Sequence, residues 1–182
     1  MENQTSKRKQ LLMSASTIVK NEGVHKLTLE AVAKEAGVSK GGLLYHFPSK
    51  EALIKGMVDE LTANYVSEMN KLVETDEQLN GKWTKAYVKS TFNELEADFE
   101  MSSALMAAIF ANPELLKDFQ LQYEDWQTKI ENDGLNPVRS TIARLVADGL
   151  WYGEIFGLAP LEKGLKDEIY KELLSWTREG KN

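Results

Sequence analysis

The stretch GVSKGGLLYHFPSKEAL, residues 37–53, decides how this 182-residue chain is read. Its apolar residues recur at helical spacing, yet Gly41 and Gly42 stand side by side within it. Each glycine in a helix interior costs roughly 1 kcal/mol relative to alanine, so a segment that only packs a core gains nothing from the pair. The flanks show where the helix starts and stops. Ser39 is a capping residue type, Pro48 ends the helix, and Ser49-Lys50-Glu51 opens another. Upstream, Thr28 caps a helix through Val32 and Ala33, and Ala36-Gly37-Val38 makes a tight connection between the two.

Two short helices joined by so short a turn form a helix-turn-helix, whose second helix can enter a DNA major groove. Such a helix must present small or donor-bearing residues at its N-terminal end, and Ser39, Lys40, Gly41 and Gly42 meet that need. Glycines let the backbone approach base edges or phosphates, and Lys40 can donate to guanine or to phosphate.

The run LTLEAVAKEAGVSKGGLLYHFPSKEAL, residues 27–53, resembles the N-terminal domain of the TetR family of bacterial transcriptional regulators. The residues that carry the likeness are Thr28, Val32-Ala33, Ala36-Gly37-Val38-Ser39, Gly41, Tyr45-His46-Phe47 and Lys50-Glu51-Leu53. The resemblance is sharp over residues 8–60 and architectural beyond. It implies that Thr28 caps the second helix and touches phosphate, and that Ser39, Tyr45, His46 and Lys50 anchor the DNA backbone. Lys40, Gly41, Gly42 and Leu44 are then the base-facing edge. Two positions depart from the family pattern. Val19 stands where phenylalanine is usual, and Gly42 where threonine, serine or alanine is usual. Core readings stand beside these roles: Phe47 reads as core, and Tyr45 and His46 as either core or DNA contact. Lys7, Arg8 and Lys9 are either a solvated tail or an arm reaching the duplex.

Charge agrees with this division. Residues 1–50 hold eight bases and four acids, whereas the remainder holds fourteen bases and twenty-four acids. A net charge of −6 therefore hides a basic N-terminal quarter, compatible with nucleic acid, and an acidic remainder that is not. The chain lacks cysteine, which excludes disulfides and thiolate metal sites. No apolar run approaches the roughly 18–20 residues of a membrane span, and the N-terminus lacks the apolar core of a signal peptide. A cytoplasmic protein without membrane partner, metal or cofactor is expected.

Helical spacing continues through the rest of the chain. The fourth helix is expected to run to about residue 75, Asn112-Pro113 and Asn136-Pro137 open further helices, and a last one spans roughly 162–178. The expected fold is all-α, about nine helices. With the resemblance, residues 1–48 form a three-helix helix-turn-helix DNA-binding domain and residues 49–182 a helical ligand-binding and dimerisation domain. The segment from Ser140 to Leu158 is apolar on more than one side, as is the last helix, which fits burial both in a core and against a partner. Ile142, Val146, Gly149, Gly153, Ile169, Leu173 and Trp176 are the expected homodimer interface, through a four-helix bundle; an intrachain core is the alternative.

A small-molecule effector needs a largely apolar cavity with a few polar groups. Tyr65, Trp83, Tyr87, Phe92, Met106, Phe110, Tyr123, Trp126 and Trp151 are candidate lining residues, although aromatics at this spacing also serve as plain core. Asp148 lies within an apolar run and is costly to bury unpaired; it faces a ligand or bonds to a neighbouring helix. The function that follows is a ligand-responsive regulator, a repressor released from a palindromic, double-stranded operator by an inducer. A partner-docking protein of the same fold is the rival. An enzyme is disfavoured, with two histidines, no metal-ligand cluster and no phosphate loop; no catalytic residue is assigned. Glu94, Glu96, Asp98 and Glu100 read as a solvated acidic face.

Overall fold

A computed structural model describes residues 2–94 and 99–178, and among these no strand occurs. Among the described residues nine helices follow one another: α1 (Glu2–Glu22), α2 (Leu29–Glu35), α3 (Lys40–His46), α4 (Lys50–Thr75), α5 (Lys82–Glu94), α6 (Phe99–Ala111), α7 (Pro113–Glu131), α8 (Pro137–Ile155) and α9 (Lys163–Trp176). The all-α expectation is met. A short 3-10 turn, Val24–Lys26, was not expected and leads from Gly23 to the start of α2. The chain divides into two compact units, Met1–Thr62 with Glu100–Leu116, and Ala63–Phe99 with Lys117–Asn182. Helix α4 contributes residues to both.

In the first unit the local signals act as their chemistry requires. The Thr28 side chain accepts from the Ala31 amide at 3.1 Å and the Ser39 side chain from the Gly42 amide at 3.1 Å, so each short helix is capped. Between them Gly37 takes φ +64°. Val38 N–H then donates to Ala33 carbonyl at 2.9 Å and Gly37 N–H to Lys34 carbonyl at 3.1 Å, the paired bonds that close a helix around a left-handed residue. The Gln10 amide donates to the Ala36 carbonyl at 3.0 Å and ties α1 to this turn.

The core below holds Leu11, Leu12, Ala15, Ile18 and Val19 of α1, with Leu27, Val32, Leu43, Phe47, Leu53 and Met57, all buried. Gly56 of α4 makes a close approach possible, because a Cβ there would lie 2.7 Å from the Phe47 ring. Phe47 is therefore core, and the Arg8 guanidinium lies 5.2 Å from its ring centroid.

In the second unit α5 packs against α8 and α9. Met69, Tyr87, Trp126, Ile130 and Ala147 form one buried cluster, and Val88, Ala143 and Leu173 another. The Asn136 side chain accepts from the Val138 and Arg139 amides, and Pro137 fills the first turn of α8. Helix α5 is capped from a distance in sequence: the Asp133 carboxylate accepts from Trp83 N–H at 3.1 Å and Thr84 N–H at 2.8 Å. Burial pushes the Asp133 carboxyl up, and the Thr84 and Trp83 amides oppose that rise.

Of the acidic run, Glu96, Asp98 and the side chain of Glu100 lie outside the described residues. Glu94 departs from the solvated-face expectation. Burial and the neighbouring Glu68 carboxylate push its pKa up to about 7.

Two outcomes test this account. Asp133→Ala should lower the stability of the second unit by about 1–2 kcal/mol in chemical unfolding, with Asp133→Asn recovering part of the loss, because the amide oxygen still accepts. For Glu94, the native state binds the proton more tightly than the unfolded chain, so stability falls as pH rises from about 4.5 towards 7. Glu94→Gln should remove that decline, seen as a smaller drop in melting temperature between pH 5 and pH 7.5 than in the parent.

Candidate nucleic-acid interface and polar site

Helices α2 and α3 present their N-terminal ends with little covering them. Thr28, Ser39, Lys40, Gly41, Gly42, Leu44 and Tyr45 are exposed, and His46 and Lys50 are half-buried. Leu43 instead points inward and is fully buried, so α3 is held by Leu43 and by Phe47 just beyond it. Tyr45 leaves 71% of its surface exposed, and its ring meets that of His46 edge-on at 5.1 Å.

Lys40 Nζ lies 2.5 Å from a Glu30 carboxylate oxygen, linking the first turns of α3 and α2. The hydrogen bond from Lys40 holds the Glu30 carboxyl below its ordinary range. Glu30 was not among the residues singled out in the sequence. It sits two places after the Thr28 cap, on the first turn of α2.

The glycine pair has a plain geometric reading. A Cβ on Gly41 would meet nothing within 4 Å, and one on Gly42 would meet only the Ser39 hydroxyl, at 3.3 Å. Packing within the chain therefore does not require Gly41.

In the second unit several of the expected ligand residues come together. Tyr65, Tyr87 and Trp126 contact one another with ring centroids 5.1–6.2 Å apart, and Trp83 packs against the same cluster. Tyr123 joins them, 5.2 Å from Trp126. Asp148 lies beside this wall. One of its oxygens accepts from the Tyr87 hydroxyl and, at 3.4 Å, from that of Tyr123; the other accepts from Arg144 Nη1 at 2.6 Å. Arg144 Nε donates in turn to the Gln127 side-chain oxygen at 2.6 Å.

Burial pushes the Asp148 carboxyl up, against the Tyr87 hydroxyl and the Arg144 charge. Burial also raises the Tyr65, Tyr87 and Tyr123 hydroxyls well above their ordinary value, so all three are protonated at neutral pH and able to donate. Arg144 escaped the sequence reading, although its i, i+4 spacing to Asp148 on one helix carried the signal.

Other candidates are placed differently. Trp151 is buried, with its ring against Tyr152. Met106 and Phe110 belong to the first unit, Met106 buried and Phe110 52% exposed. Among the expected dimer residues, Ile142 and Gly149 are exposed, and Val146, Gly153, Ile169 and Trp176 half-buried. Leu173 is 2% exposed and packs with Val88 and Ala143, which leaves it almost no surface for a partner. Leu145, Phe156, Leu158 and Leu165 are exposed on or near the same two helices.

Known proteins share both parts of the chain. Residues 11–57 match the family model for bacterial regulatory proteins of the tetR family, and residues 81–178 match the tetracyclin repressor-like C-terminal domain. The nucleoid occlusion factor SlmA of Aliivibrio fischeri is 31% identical over 72 residues, covering 39% of this chain and 37% of SlmA. The HTH-type transcriptional regulator RutR of Escherichia coli is 31% identical over 115 residues, covering 63% of this chain and 53% of RutR. The chain thus spans about half or less of the length of these curated relatives. GusR of Salmonella enterica superposes with a TM-score of 0.63 at 18% identity, over 96% of both chains, and shares the fold. With a C-terminal model that covers more than half of its length and an N-terminal model over the capped helices, the chain belongs to the tetR family of bacterial regulatory proteins.

Proposed function

We propose that the protein is a DNA-binding transcriptional regulator, a repressor that acts as a homodimer and leaves a palindromic operator when a small molecule binds its second unit. In this reading residues 1–48 bind DNA, and within residues 49–182 the second unit senses and dimerises. The observation that carries it is the bare edge of α3, where Gly41 faces open space and Tyr45 projects outward. A helix interior that accepts a glycine without any packing reason is serving something outside the chain. Entry of α3 into a major groove sets Lys40, Gly41, Gly42 and Leu44 against base edges. Thr28, Ser39, Tyr45, His46 and Lys50 then lie along the phosphates.

Glu30 shapes this encounter. Its carboxylate repels phosphate and holds Lys40 when DNA is absent, so Lys40 exchanges one anionic partner for another on binding. The exposed apolar residues of α8 and α9, Ile142, Leu145 and Leu165 among them, support a partner-facing surface in the second unit. Gly149 has nothing within 4 Å of its Cβ position, so the space beside it is open to a second helix. Two copies related by a two-fold axis would present their α3 helices to two half-sites about one helical turn apart, or a multiple of it. An inducer needs only to bind one conformation of the second unit better than the other, and α4, which has residues in both units, is the element through which that preference reaches α3.

Two substitutions test the DNA reading in electrophoretic or fluorescence titrations. Lys50→Ala should weaken binding to cognate and random duplexes alike and flatten the plot of log affinity against log salt by about one unit of slope. Unchanged affinity for both would refute the docking. Gly41→Ala should leave the free protein as stable as before or up to about 1 kcal/mol more so, since its Cβ meets nothing and alanine favours helix. Its cognate DNA affinity should nevertheless fall at least fivefold, and an unaltered affinity would show that α3 does not approach DNA along that edge.

A further inference from the structure

The Asp148 site holds a cation already, supplied by the chain itself. Arg144 Nη1 lies 2.6 Å from Asp148 Oδ2, and the guanidinium carbon lies 5.8 Å from the Tyr123 ring centroid. Both side chains are largely shielded, with 15% and 11% of their surface exposed. A buried carboxylate flanked by tyrosine hydroxyls and aromatic faces is the chemistry that recognises organic cations. Trp126 and Tyr87 pack beside Tyr123, and both are buried.

We propose that this is the effector site, and that it takes an aromatic or apolar molecule ending in an amidinium, guanidinium or similar planar cation, which replaces the Arg144 guanidinium on Asp148. The proposal rests on the reading of the second unit as a sensor.

The reasoning is one of charge balance. A cationic ligand exchanges charge for charge, so the carboxylate is never left bare, and one of its N–H donors takes the place of Arg144 Nη1 on Oδ2 while the tyrosine hydroxyls keep Oδ1. An anionic ligand would have to break the pair and then lie against Asp148. A neutral ligand that displaced Arg144 would leave a shielded carboxylate uncompensated. Displacement has a built-in route. Arg144 is otherwise held through Nε by Gln127, a neutral acceptor on α7, and by the face of Tyr123, neither of which carries a charge. Once displaced, its long side chain swings to solvent from α8, the helix that also carries the exposed Ile142 and Leu145. Ligand occupancy thereby changes the charge and side-chain packing of that helix.

An isosteric series decides the matter: benzamidine, benzamide and benzoate, titrated into the intact protein and into Arg144→Met, with binding read by calorimetry and by intrinsic tryptophan fluorescence. Benzamidine is expected to bind the parent at least tenfold more tightly than the other two. Arg144→Met removes the internal competitor but keeps an apolar stem, and should tighten benzamidine a further tenfold or more. Asp148→Asn should abolish the preference for the cation. Benzoate binding best in the parent, and being lost in Arg144→Met, would overturn the proposal by making Arg144 an anion receptor. Failure of all three probes in the parent would also overturn it, and would make the pair a structural clamp. The parent series alone decides between these if Arg144→Met does not fold. Sequence-specific DNA binding by the ligand-free protein is measured in parallel: its persistence while the probes fail leaves the regulator reading standing, and its loss refutes that reading whatever the probes do.

Discussion

A single left-handed residue at position 37 lets one seven-residue helix stop and a second start within four residues. Gly37 turns the chain, the bonds from Val38 to Ala33 and from Gly37 to Lys34 close α2, and the Ser39 hydroxyl opens α3. A side chain at that φ would strain the turn that joins α2 to α3. The tether from Gln10 to Ala36 fixes the turn against α1, and the burial of Leu43 and Phe47 holds α3 in the direction that the turn gives it. What α3 then presents to solvent depends on that direction. Its two inward anchors, Leu43 and the adjoining Phe47, are buried, while Lys40, Gly41, Gly42, Leu44 and Tyr45 are exposed.

The second unit solves a different problem, that of a carboxylate held among aromatic rings. Asp148 is tolerated there because two hydroxyls and a guanidinium converge on its oxygens, and each donor is itself placed by packing on a different helix: Tyr87 on α5, Tyr123 on α7 and Arg144 on α8. Removing any one donor leaves a shielded acceptor with fewer partners, which is costly in proportion to its burial. The same convergence that stabilises the charge also couples three helices. A molecule that altered one of these bonds would be felt on all three.

Much of the fold was legible because it is written in local chemistry. Thr28, Ser39 and Asn136-Pro137 each cap or open the helix that their residue types imply, and α4 ends at Thr75, where helical spacing was expected to stop. What escaped was non-local. Asp133 caps α5 from fifty residues away, a pairing that no window of sequence contains. Apolar periodicity gives a helix two sides but not their destinations, so Leu173, read as a partner contact, lies in this chain's own core. For the same reason Met106 and Phe110 look like the other candidate pocket residues in sequence, although α6 folds with the first unit. Gly56 carries no turn signal at all. Its role appears only when the Phe47 ring is found where a Cβ would stand.

The glycine pair of α3 shows how a local penalty becomes informative. In the free chain the Ser39 cap and the burial of Leu43 hold a helix that two glycines weaken, and neither glycine is needed to avoid a clash with backbone. Glycines such as Gly56 are explained by what touches them inside the fold. Gly41 is explained by nothing inside it, and a destabilising choice without an internal beneficiary implies an external one. Lys40 strengthens the point from the side of charge. It is the first residue of the same helix, exposed, and paired with a glutamate on the neighbouring helix, an arrangement that an approaching polyanion can outcompete. Backbone access and an exchangeable cation thus meet at one helix end, which is what a surface built to lie close to phosphate and base edges requires.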